Sequence, residues 1–83
     1  MTRIRVKLFA FLKDAAGRSE MTVNFGTEPV SCEDVLSFLA VLFEEAKPML
    51  GQSLVAVNGQ FASRDLRLSS GDEVAILPPV SGG

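Results

Sequence analysis

A chain of 83 residues has room for one small domain, near the lower limit at which a hydrophobic core holds without disulfides or metals. Its 47% apolar and 22% charged content is that of an ordinary folded domain, which excludes disorder. With no histidine, one cysteine, no Trp or Tyr and a formal net charge of −2, it lacks the parts for an internal disulfide, a Cys/His metal site, histidine acid/base chemistry or a nucleic-acid surface.

From residue 3 to 9 the chain alternates, with Arg3, Arg5 and Lys7 on one side and Ile4, Val6 and Leu8 on the other. This period of two predicts a half-buried first strand. Residues 9–16 break the alternation with Ala10, Leu12, Ala15 and Ala16, which predicts a short helical connection ended by Gly17. Alternation resumes over residues 19–25, with Met21, Val23 and Phe25 inward, as a second strand pairing with the first. Residues 26–30 read as a loop.

Ser31 followed by Asp34 has the spacing of a capping box and opens the main helix. Val35, Leu39, Leu42 and Ala46, flanked by Leu36 and Phe43, form an apolar stripe wide enough to cover a sheet. Pro48 cannot continue a helix, which places the end at Ala46 or Lys47. Cys32 falls in the first turn, where the helix dipole is expected to lower the thiol pKa; a passive small residue is the simpler role.

Residues 54–57 form a short β-rich run, Asn58-Gly59 is a type I′ turn signal, and Phe61 and Ala62 return as a short strand. Residues 63–68 read as irregular, with Leu66 and Leu68 tucked beneath, and Ser70-Gly71-Asp72 turns into a last strand over residues 73–77. The longest apolar run, residues 38–43, is too short for a membrane span, and the N-terminus has no apolar signal core, so a cytoplasmic, non-membrane protein is expected.

The amphipathic helix must bury its stripe against a mixed sheet, and the order of elements allows the two terminal strands to lie parallel at its centre. The fold class expected is α+β, a β-grasp domain over residues 1–77. Pro78 and Pro79 lack the N–H that a strand ladder needs, so residues 78–83 (Pro78, Pro79, Val80, Ser81, Gly82 and Gly83) are expected to project as an arm. Gly82 and Gly83 carry no side chain and suit a narrow channel in a partner, although a frayed end of small residues reads the same way.

Val6-Lys7-Leu8-Phe9-Ala10, Leu12-Lys13-Asp14, Gly17, Val57-Asn58-Gly59 and above all the run from Gly71-Asp72-Glu73-Val74 into Pro78-Pro79-Val80-Ser81-Gly82-Gly83 resemble the MoaD family of ubiquitin-like sulfur carriers, the small subunits of molybdopterin synthases. The resemblance implies that a MoeB-like adenylating enzyme uses ATP to activate the Gly83 carboxylate, and that a sulfur donor then converts it to a thiocarboxylate. It implies insertion of the tail into a MoaE-like large subunit, in a heterotetramer, where sulfur passes to cyclic pyranopterin monophosphate. It further implies a subunit that binds no cofactor itself, ATP being used by the activating partner, and that is not catalytic alone. Phe9, Phe61 and Leu77 match the family's partner-facing surface, with Val80 on the arm and Lys13 near an acidic partner residue. Read without the family, Phe9 and Leu77 are equally core residues, and Lys13 an ordinary solvated lysine.

Two other readings share the activated tail: a ThiS-like carrier for thiazole synthesis, and a ubiquitin-like modifier that joins Gly83 to lysines of target proteins. A freestanding enzyme fits least, since no acid, base and nucleophile come together in the sequence.

Overall fold

The computed structural model describes residues 1–26 and 29–78. Strand β1 (Thr2–Leu8) pairs antiparallel with β2 (Glu20–Phe25) across the short helix α1 (Ala10–Ala16). Strand β3 (Val30–Ser31) leads into α2 (Cys32–Leu42), followed by a 3-10 turn (Glu44–Ala46) and helix α3 (Lys47–Gly51). Strands β4 (Leu54–Val57), β5 (Gln60–Ala62), β6 (Arg67–Leu68) and β7 (Glu73–Leu77) complete the chain. The main sheet has the order β2-β1-β7-β4-β5, with β1 and β7 parallel at its centre, and β3 and β6 form a separate two-stranded ladder. This is the ubiquitin-like β-grasp, with the terminal strands central as the element order predicts.

Alternation decides which face of the sheet meets the helix. Ile4, Val6 and Leu8 of β1, Val23 of β2, Val55 of β4, and Val74 and Ile76 of β7 are buried against Val35, Leu36 and Leu39 of α2. The capping box forms as expected: the Asp34 N–H donates to Ser31 Oγ at 3.3 Å and the Ser31 N–H donates to Asp34 Oδ2 at 2.8 Å. At the sheet margin, Phe25 and Phe38 meet edge to face with ring centroids 5.9 Å apart. Both residues of the Asn58-Gly59 turn have positive φ, 51° and 87°, the type I′ geometry that matches strand twist.

Three expectations need correction. Helix α2 stops at Leu42, because Phe43 leaves helical geometry (φ −126°, ψ 77°) and turns its half-buried ring onto the core. Leu42 is therefore 49% exposed, while Ala46 reaches the core from the 3-10 turn. Pro48 starts a helix instead of ending one: in the first turn of α3 its missing N–H has no intrahelical partner to lose. The stretch read as a loop over 26–30 contributes Val30 to the β3–β6 ladder, beside the cap residue Ser31, and the stretch read as irregular over 63–68 contributes Arg67 and Leu68. Leu66 is 42% exposed whereas Leu68 is buried.

Arg64, unremarked in the sequence, ties these pieces together. Its Nη2 donates to the carbonyls of Leu50, Gly51 and Ser53 at 3.1, 3.0 and 3.1 Å, which satisfies the open end of α3. Its Nη1 reaches Glu33 at 3.4 Å, and its own carbonyl accepts the Glu33 N–H at 2.8 Å. Arg64→Leu keeps much of the side chain's bulk but removes these charged donors, and is expected to cost about 2 kcal/mol of stability. An unchanged guanidinium chloride midpoint would contradict that role.

Candidate functional site on the open face of the sheet

Helices cover one face of the main sheet, and no element among the described residues covers the other. In β4, Val55 points inward and Leu54 and Ala56 outward; in β7, Val74 and Ile76 point inward and Ala75 and Leu77 outward. Strands apolar on both faces normally lie in sheets covered on both sides. The cross-strand pairs Leu54↔Leu77, Ala56↔Ala75 and Ala56↔Phe61 place these outward residues in adjoining rows. Leu54 is 59% and Phe61 73% exposed.

Phe9 joins the same face by continuing the alternation of β1. Its backbone is extended (φ −129°, ψ 154°), so after inward Leu8 its ring turns outward, next to Leu77, since Leu8 is aligned with Ile76 in the parallel ladder. Ala10 then takes φ 50°, a left-handed conformation that costs a residue with a Cβ about 1 kcal/mol. That bend lifts the chain into α1, where the Leu12 and Lys13 amides donate to the Phe9 carbonyl at 3.1 and 3.4 Å, and Gly17 closes the helix at φ 71°.

The predicted residues Phe9, Phe61 and Leu77 thus lie on one surface, and none of the three enters the helix-covered core. Leu54, Ala56 and Ala75 belong to it too and were missed. Their signal was the unbroken apolar runs of residues 54–57 and 74–77, where a strand with one wet face would alternate. Lys13 is exposed on α1. Pro78 follows β7 and is half-buried; Pro79, Val80, Ser81, Gly82 and Gly83 lie outside the described residues.

Cys32 is the passive small residue expected, but its thiol pKa moves in the direction opposite to that expected from the helix dipole. Its side chain is fully buried, and the loss of hydration pushes the thiol pKa up, helped by the negative charge of Asp72; a backbone hydrogen bond opposes this more weakly. Burial outweighs the helix terminus, and the thiol is inert packing. Ellman's reagent is expected to label Cys32 only as fast as the domain opens and at once in denaturant. Rapid labelling of the native protein would contradict its burial.

The sequence matches the ThiS family over residues 6–83. It is 31% identical over 83 residues to the molybdopterin synthase sulfur carrier subunit of Dictyostelium discoideum, covering 98% of this chain and 96% of that protein. The protein of the same name in Chlamydomonas reinhardtii is also 31% identical, with 98% and 99% covered. Among solved structures, small archaeal modifier protein 1 of Methanosarcina acetivorans superimposes with a TM-score of 0.82 at 30% identity, over 100% of this chain and 98% of that one. A match that spans the sheet, the helices and the residues beyond β7 means that the chain belongs to the ThiS family.

Proposed function

We propose that this protein is the sulfur carrier and small subunit of a molybdopterin synthase, with Gly83 as the reacting residue. The observation that carries the reading is its end-to-end similarity to relatives named molybdopterin synthase sulfur carrier subunit. In the reading, residues 1–77 form the body and residues 78–83 the projecting arm. The Gly83 carboxylate attacks ATP on a MoeB-like adenylating enzyme, forming an acyl-adenylate and releasing pyrophosphate. A sulfide equivalent from the donor adds to the acyl carbon, and AMP departs with the C–O electron pair and the former carboxylate oxygen. The thiocarboxylate left behind is anionic and nucleophilic at neutral pH, where an ordinary thiol is mostly protonated.

The carrier holds no cofactor; ATP belongs to the activating partner. The open sheet face, with Phe9, Phe61, Leu77 and Leu54 exposed or half-exposed, gives a MoaE-like large subunit an apolar surface beside the strand that leads to the arm. The partner supplies the pocket in which cyclic pyranopterin monophosphate receives sulfur, and the assembly is a cytoplasmic heterotetramer.

A second reading, protein modification, is favoured by the 30% identity to an archaeal modifier protein. Both share adenylation and part at the acceptor. Intact-mass analysis of the protein isolated from its own cells separates them. The first reading expects a free chain bearing a terminal thiocarboxylate, whereas isopeptide conjugates to lysines without thiocarboxylate would favour the second.

A further inference from the structure

Charge is distributed unevenly along the chain. Residues 1–18 hold five of the eight Lys and Arg (Arg3, Arg5, Lys7, Lys13 and Arg18) but one of the ten Asp and Glu (Asp14), a net +4; the remaining residues hold three basic and nine acidic, a net −6. The fold concentrates this asymmetry beside the apolar surface. Arg3, Arg5 and Lys7 lie along β1 on the open face, and Lys7 is aligned with Ala75 of the apolar rows. Because β1 and β7 are parallel, Lys7, α1 with Lys13, and Arg18 before β2 gather at the end of the sheet where β7 finishes.

Internal acids do not cancel this pole. Glu73 is shared between two cations, Arg5 at 3.5 Å and Lys7 at 3.6 Å, whose side chains remain 51% and 43% exposed. Glu20 faces Lys7 across the β1–β2 ladder, while Arg3 faces Asn24 and Arg5 faces Thr22. A neutral or basic surface seated on the apolar rows would strip water from Arg5 and Lys7 without replacing it.

We infer that the occupant of the open face is a protein whose contact surface pairs an apolar patch, for Phe9, Leu54, Phe61 and Leu77, with an acidic rim, for Arg3, Arg5 and Lys7, and that this rim steers association. The inference rests on the reading above, and its occupant is the synthase large subunit. Charge complementarity at an interface edge acts mainly on the association rate and its salt dependence.

The test is stopped-flow association of the whole protein with the large subunit from the same organism, from about 0.05 to 0.5 M salt. The native protein is expected to slow about tenfold across that range. Arg5→Gln with Lys7→Gln is expected to associate about fivefold more slowly at low salt and with a flatter salt dependence. Glu73→Gln, which frees both cations, should associate about twofold faster, a change that a damaged fold would not give. Equal rates and slopes in all three would overturn the acidic rim and leave the sulfur-carrier reading intact. No binding by the native protein, to a large subunit active with its own carrier, would overturn both.

Discussion

One residue added after Gly83 is expected to abolish sulfur transfer while leaving the melting temperature unchanged. In the proposed mechanism the reacting group is the main-chain carboxylate of Gly83, which must meet ATP in the activating enzyme and then the pterin in the large subunit. An added residue moves that carboxylate by about 3.5 Å and replaces it with an amide, which is not adenylated. Misplacement of a reacting atom by even about 1 Å can cost about 100-fold in rate, so the loss should exceed that factor. The fold is expected to be indifferent to the change, because among the described residues the buried core runs from Ile4 to Ile76. Transfer by the extended protein at the native rate would refute the role given to Gly83.

The second large effect belongs to Phe61. Its ring is 73% exposed on β5, so Phe61→Ala should change stability by no more than about 0.5 kcal/mol. A large aromatic residue in a row with Ala56 and Ala75, near Leu54 and Leu77, fits the anchor of a docking surface. Truncating such an anchor typically costs about 2 kcal/mol, or about 30-fold in affinity for the large subunit. Phe11→Ala makes the matching control: Phe11 is 42% exposed but belongs to α1, off the open sheet face, and should leave affinity nearly unchanged. Isothermal titration of both variants decides the matter. Equal losses would mean that exposed aromatic surface in general is being read, not this face.

Much of the fold was legible because local and global signals agreed. The alternation of Ile4, Val6 and Leu8 gave the inward face of β1, the Ser31 and Asp34 spacing gave the helix start, and Asn58-Gly59 gave the hairpin. What escaped depends on tertiary contacts. Two-residue strands such as Val30–Ser31 and Arg67–Leu68 carry no period to detect, and exist because the loop bearing Arg64 is tied to the start of α2. Phe43 breaks the helix by packing its ring, with no glycine or proline to announce it. The acidity of Cys32 was misread because proximity to a helix terminus is visible in sequence and full burial is not.

For the candidate site, the exposed half of the signal was the harder one. Phe9, Phe61 and Leu77 came from a family resemblance, whereas Leu54, Ala56 and Ala75 left only the unbroken apolar runs as a signal, and the register is what aligns them on one face. An apolar residue within an apolar run looks like core until the direction of its neighbours is known. The exposed apolar outer face of β4 and β7 is the surface that the proposed large subunit would cover.

The most direct test of the account is reconstitution. The Gly83 thiocarboxylate is mixed with a MoaE-type large subunit and cyclic pyranopterin monophosphate, and molybdopterin is measured against a protein lacking Gly82 and Gly83. The account predicts molybdopterin from the thiocarboxylated chain and none from the truncated one. No product from a large subunit that is active with its own carrier would contradict it, and would move the protein to another sulfur-carrier pathway or to protein modification.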